Sequence, residues 1–153
     1  MRVLGVDFGL RRLGIALSDE EGSLARPLRV LEITSVRHAP EAVAGAASDA
    51  GAETVVVGVP LGLEGEERRQ EVRRVERFAR ALRKCSGLTV FLVDESMSTR
   101  EAGERAREAG RSDSDPSLHA HAAAVILQRW LDRPRKSGGA ASGRPGKSKG
   151  AGE

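Results

Sequence analysis

The sequence predicts a mixed α/β sheet in a single compact domain. Three observations carry that expectation. Two short apolar runs, Val3 to Val6 and Leu13 to Leu17, flank a turn holding Asp7, Gly9, Arg11, Arg12 and Gly14, as a β-hairpin would. Thr54-Val55-Val56-Val57-Gly58-Val59 is β-branched and apolar throughout, the signature of a strand covered on both faces. Beyond it, apolar runs alternate with helix-period segments, which places later strands in crossover units.

Taken in order, Leu28 to Ile33 alternates and reads as a third strand after the hairpin. Pro40 and Glu41 open a short helix with Val43, Ala46, Ala47 and Ala50 on one face, and Gly51 ends it. Pro60 stops the β-branched strand, and Leu61 to Glu67 reads as a loop. A charged amphipathic helix spans Glu66 to Lys84, with Val72, Val75, Phe78, Ala79 and Leu82 as its apolar stripe. Its arginines alternate with acids, which describes a solvated, ion-paired face. Leu88 to Val93 is the next strand, with Asp94 and Glu95 at its C-terminal end. Ser98-Thr99-Arg100-Glu101 has capping-box spacing for a small helix ending at Gly110. Asp115-Pro116 supplies an N-cap and first-turn proline for a last helix to about Asp132, packed through Leu118, Ala122, Val125, Ile126 and Trp130.

The chain has 153 residues and a net charge of +3, but that charge is unevenly held. Residues 133–153 carry six Lys or Arg and one acid, leaving residues 1–132 with a net charge of −2. The division expected is a folded domain over 1–132 and a basic disordered tail over 133–153, because the Gly/Ser/Lys-rich tail cannot bury enough apolar surface to order itself. Such a tail either adds non-specific affinity for nucleic acid or is a solvated terminus. Cys85 is the single cysteine, which excludes a disulfide framework and a cysteine-based zinc site and favours a reducing, cytoplasmic setting. No signal peptide is expected, since Asp7 cuts short the apolar run near the N-terminus. The longest uncharged apolar stretch, Val55 to Leu63, is far too short to span a bilayer. Three Phe, one Trp and no Tyr argue against stacking-based recognition of single strands and for recognition of shape and backbone.

Three positions stand out for chemistry. Asp7 ends a strand, where an ionised carboxylate is costly unless it is paired or bound to metal; the competing reading is a turn-capping acid. Glu95 follows another strand; the competing reading is a surface acid, or a partner of Arg100. His119 precedes Ala122, Ala123 and Ile126 by three, four and seven residues, so it faces the packed side of the last helix; the competing reading is a satisfied core histidine. Asp115 is a rival ligand that N-capping explains more simply. Ligands in α/β folds collect at the carboxyl ends of parallel strands. Two carboxylates there and one donor from a nearby helix would suit a divalent-metal phosphodiesterase centre.

Four motifs occur in one order: Asp7-x-Gly9-x-x-Arg12-x-Gly14, Val57-Gly58-x-Pro60-Leu61 with Gly65, Asp94-Glu95-x-x-Ser98-Thr99, and Ala122-Ala123-x-x-Ile126-Leu127-Gln128. Together they resemble the YqgF (RuvX) family over Val3 to about Leu131. These are RNase H-like proteins known as Holliday junction resolvases and as pre-16S rRNA nucleases. The resemblance implies an RNase H-like five-stranded mixed sheet flanked by helices. It also implies Asp7, Glu95 and His119 as the catalytic, metal-holding set for Mg²⁺ or Mn²⁺. Arg12 would approach a phosphate, with Gly9, Gly58 and Pro60 shaping the substrate-binding loops. Two departures accompany it. Ser96 stands where the family usually has arginine, and His119 where it usually has aspartate. Imidazole suits Mn²⁺ better than Mg²⁺, which prefers oxygen.

The function expected is metal-dependent endonucleolytic processing of the 5′ end of pre-16S rRNA, with precursor rRNA as partner. The alternatives are a Holliday junction resolvase on branched DNA, which requires a two-fold pair of active sites, and an RNA-binding assembly factor that has lost chemistry. No apolar surface helix advertises a dimer face, so a monomer or weak homodimer is expected, with no membrane association.

Overall fold

The computed structural model describes residues 1–59, 64–94 and 115–134. Five strands form one sheet: β1 (Arg2–Asp7), β2 (Arg12–Ser18), β3 (Ala25–Glu32), β4 (Ala52–Val59) and β5 (Thr89–Asp94), in the spatial order β3-β2-β1-β4-β5. Among the described residues three α-helices accompany it: α1 (Ala39–Ala50), α2 (Gly65–Ser86) and α3 (Ser117–Leu131). β1 pairs antiparallel with β2, and β2 with β3, so the first three strands form a meander. β4 joins the other side of β1 in parallel, and β5 joins β4 in parallel. The expected mixed sheet is therefore observed, with β1 in its centre and β4 as an inner strand beside it.

Strand alternation divides the core in two. Leu4, Val6, Leu13, Ile15, Leu17, Val55 and Val57 point to one face and pack with Val43 and Ala47 of α1 and Val75, Phe78, Ala79 and Leu82 of α2. Val3, Ala16 and Val56 point to the other, where Ala123, Ile126, Leu127 and Leu131 of α3 cover them. Every side chain in that second cluster from the sheet centre is small or β-branched, so α3 lies close. A Cβ at Gly5 would come within 2.8 Å of Leu127 Cβ and 2.9 Å of the Ala123 carbonyl oxygen, so the central strand and the helix meet there almost backbone to backbone.

Local signals set most boundaries. Gly51 and Gly87 adopt left-handed conformations (φ 72° and 74°) and close α1 and α2, as C′ glycines do. α2 runs two residues past the expected Lys84 because Gly87, not Lys84, is the first position that favours leaving the helix. Its charged face is ion-paired as expected: Glu66 accepts from Arg69 and Arg73 at 3.1 Å, and Glu71 pairs with Arg74. A short 3₁₀ turn at Val36–His38, capped by the Ser35 hydroxyl, had no legible periodicity.

Two expectations are corrected. β3 begins at Ala25, three residues before Leu28, and takes in Pro27. Pro27 is tolerated because β3 is an edge strand and its pairing with β2 slips between Ile15 and Ala16. In α3 the expected Ala122 and Ile126 are buried, but Leu118, Val125 and Trp130 are only half-buried, and Ala120, Ala123, Leu127 and Leu131 complete the packed face. The helix is apolar on most sides, so periodicity could not choose the face. Asp115 still receives the helix start: its Oδ1 accepts from Ser117 N and Ser117 Oγ, each at 2.9 Å, although the helix opens one residue later than expected. The short helix expected over 98–110 and the tail beyond 134 lie outside the described residues.

Two tethers hold α3 and the β2–β3 turn together. Gln128 Oε1 accepts from Ala25 N at 2.8 Å, and its Nε2 donates to Ser23 O and Asp132 Oδ1. Asp19 closes the turn by accepting from Ser23 N and Oγ and from Leu24 N, and the Ser23 backbone bond leads the causes that hold its carboxyl below the usual range.

Candidate active site

β1, β4 and β5 run parallel, so their carboxyl ends lie along one edge of the sheet, with Val59 level with Asp94. Asp7 ends β1 on this edge. By the alternation of β1, Asp7 shares a face with Val3 and Gly5, the face that α3 covers. The turn after it is tight: a Cβ at Gly9 would stand 2.5 Å from the Arg12 carbonyl oxygen. Phe8, on the opposite face, stacks on Phe78 of α2 with ring centroids 4.9 Å apart, which anchors the turn beside the acid.

α3 brings the second donor. His119, in its first turn, places Nδ1 at 3.3 Å from Asp7 Oδ2, across a sequence separation of 112 residues. The two side chains are 37% and 13% exposed, so the pair is reached from solvent on the histidine side. The helix can come this close because of what lies under it. Gly14 is the register partner of Asp7 on β2. A Cβ there would overlap the carbonyl group of His119 and lie 2.9 Å from Ala120 N.

Arg12 opens β2 next to this edge and is 43% exposed; Glu32, more exposed still, is a loose partner at 3.8 Å. Screening by water makes such a pair weak. Gly58 is buried in β4, opposite Val93. Glu95 and Pro60 lie outside the described residues, as do Ser96 and Ser98; β5 ends at Asp94, immediately before Glu95.

A family model described as RuvX, Holliday junction resolvase, matches residues 1–133. The chain belongs to the RuvX (YqgF) family. RuvX relatives agree along nearly their whole length. A protein of Anaeromyxobacter sp. (strain Fw109-5) named "Putative pre-16S rRNA nuclease" is 40% identical over 134 residues, 86% of this chain and 97% of its own. One of the same name from Maridesulfovibrio salexigens is 35% identical over 87% of this chain and 99% of its own. Among solved structures, RuvC of T. thermophilus in complex with a Holliday junction substrate superposes with a TM-score of 0.57 at 20% identity, over 86% of this chain and 94% of that one. The fowlpox virus Holliday junction resolvase gives 0.52 at 12% identity, over 86% and 99%. At those identities the likeness is one of fold, and it establishes the RuvX chain as RNase H-like.

Among the described residues no three His, Cys, Asp or Glu side chains are grouped to hold a metal. Two donors are nevertheless in place. Cis ligands of an octahedral ion with bonds of 2.0–2.1 Å lie about 3 Å apart, and Asp7 Oδ2 and His119 Nδ1 are 3.3 Å apart. An anionic oxygen and an imidazole nitrogen so spaced fit a divalent transition ion such as Mn²⁺. Sequence reasoning named Asp7 and His119 and placed Gly14 in the first motif as a glycine of the hairpin turn, but nothing local showed that the backbone of His119 lies over it.

Proposed function

We propose that this RuvX protein is a divalent-metal-dependent endonuclease that processes the 5′ end of pre-16S rRNA in the cytoplasm, acting as a monomer or weak homodimer. The observation that carries the reading is the Asp7–His119 pair on the carboxyl edge of the sheet, within a family whose members are named for nuclease activity. Asp7, His119 and Glu95 are the proposed metal-holding residues, Glu95 because it directly follows β5, which runs parallel to β1 one strand beyond β4. A divalent ion held there would supply Lewis-acid stabilisation at the scissile phosphate and a more acidic attacking water. Arg12 contributes a guanidinium to a neighbouring phosphate, in exchange for its loose contact with Glu32. Gly9, Gly58 and Pro60 are the further residues proposed to shape the substrate-binding loops.

The deciding experiment is cleavage of matched precursor-rRNA and four-way-junction substrates by the purified chain in Mg²⁺ or Mn²⁺. Metal-dependent cutting of the rRNA end is expected. Cutting of the junction alone would favour the second reading, a resolvase, which the family description and the likeness to a RuvC–junction complex support. That reading needs a two-fold pair of active sites, so sedimentation should then show a dimer on the junction. No cleavage of either substrate with either metal would leave the non-catalytic assembly factor standing.

The histidine makes a sharper expectation. His119→Asp supplies the oxygen that Mg²⁺ prefers. The ratio of Mg²⁺-supported to Mn²⁺-supported cleavage should rise by about tenfold or more, because a carboxylate oxygen replaces the imidazole nitrogen. An unchanged ratio would remove His119 from the metal set.

The basic C-terminal segment is proposed to add electrostatic affinity. Deleting residues 137–153 removes Arg144, Lys147 and Lys149 and no large apolar residue. Melting temperature should stay within a degree or two, while the slope of log Kd against log salt becomes shallower by roughly two. A large loss of melting temperature would show instead that the segment packs on the domain.

A further inference from the structure

We propose that Gly14 is a positioning residue: its missing side chain lets the first turn of α3 rest on β2 and thereby sets the Asp7–His119 separation on which metal binding depends. The inference rests on the metal-site reading given above, and adds to it the element that makes the site.

Three residues form a layer. Asp7 and Gly14 are paired across the β1–β2 ladder, and the backbone of His119 lies over Gly14. The contact is with backbone, not with the flexible end of a side chain. A Cβ at position 14 would overlap the His119 carbonyl group and stand 2.9 Å from Ala120 N, so no rotamer change relieves it. The sheet cannot yield either, because β2 is paired on both sides. The first turn of α3 must therefore lift, by roughly 1–2 Å to restore van der Waals distance. That lift carries His119 away from Asp7, whose own place is fixed by β1. At a pair now separated by 3.3 Å, such a displacement opens the distance beyond what one ion can bridge with both donors. Gly14 has an ordinary strand conformation, so left-handed geometry does not explain the glycine; space does.

Gly5 provides the comparison. It also abuts α3, but further along, at Ala123 and Leu127, more than a turn from His119. Its substitution disturbs packing without acting on the first turn. Gly45, in α1, has nothing within 4 Å of a would-be Cβ, so Gly45→Ala supplies a stabilised background for all variants.

The test titrates Mn²⁺ into the full-length chain and reads the rise in melting temperature, with cleavage as a second readout. Asp7→Asn identifies the part of the response that belongs to this site. Gly14→Ala should raise the half-saturating Mn²⁺ concentration tenfold or more. Gly5→Ala should lower the metal-free melting temperature but shift that concentration less than twofold. In cleavage, Gly14→Ala should lower kcat at limiting metal, recover it substantially at high metal, and leave KM for the nucleic acid unchanged. Adding His119→Glu, whose carboxylate reaches one bond further, should recover at least threefold of the lost metal affinity in the Gly14→Ala chain and none in the Gly14 chain. The proposal is overturned if Gly14→Ala binds Mn²⁺ like the reference, if Gly5→Ala weakens binding as much, or if Gly14→Ala stays unfolded at saturating Mn²⁺. A reference chain whose Mn²⁺ response is indifferent to Asp7→Asn would instead bring down the metal-site reading, and this proposal with it.

Discussion

Asp7→Asn should abolish cleavage and leave the domain folded. The substitution keeps the size and shape of the side chain and removes its charge. Asp7 stands at the carboxyl end of the central strand, mostly shielded from water, with His119 Nδ1 as its near neighbour. An amide there is a poor ligand for a hard cation and cannot balance its charge. Losing one preorganised electrostatic group at a reacting centre costs on the order of 10²–10³ in kcat, and loss of a metal ligand should cost at least that. Folding should be spared, because the strand ladder does not use the carboxylate and the Asn can still accept from the imidazole. The measurements are single-turnover cleavage at saturating Mn²⁺ and thermal melting of the same preparations. Retention of more than about a tenth of the activity would remove Asp7 from the chemistry.

Leu127→Ala should be the most damaging conservative change to stability. Leu127 is fully buried, and its Cβ sits against Gly5 of the central strand. The cluster around it is small: Val3, Ala16, Val56, Ala123, Ile126 and Leu131. With so few large neighbours, little can collapse into the space left behind. Truncations of this kind cost about 2–5 kcal/mol, and poor collapse places this one in the upper half of that range. For a domain of this size the melting temperature should fall by on the order of 10 °C. The same truncation at Val125, which is half-buried, should cost far less. Differential scanning calorimetry of the two variants tests the pair of expectations, and equal losses would mean that the packed face of α3 is misassigned.

Much of this architecture was legible in one dimension, and the reason is the same in each case. A strand's alternation, a helix's stripe and a glycine's left-handed cap are set by interactions among residues a few positions apart. The hairpin, the β-branched strand, the ion-paired face of α2 and the ends of α1 at Pro40 and Gly51 all have that character. The acid at the end of β1 was legible too, because an ionised group at the end of an apolar strand requires a partner. Where the local signal was ambiguous, the reading slipped. An edge strand accepts Pro27, so β3 began early, and a helix apolar on most sides did not declare which side packs.

What only the tertiary structure decided is who meets whom. Pairing order places β1 in the middle, with β4 and β5 beside it, and so gathers three strand ends on one edge. The contact between Asp7 and His119 spans 112 residues, and no local pattern encodes it. Gly14 is the clearest instance. In the sequence it is a glycine of the first motif, where a tight turn or a close approach is expected, but nothing near it says what makes that approach. The requirement comes from the first turn of α3, laid over it by the packing of Ala123, Ile126 and Leu127 on the central strands, so that the His119 carbonyl occupies the volume a Cβ would fill.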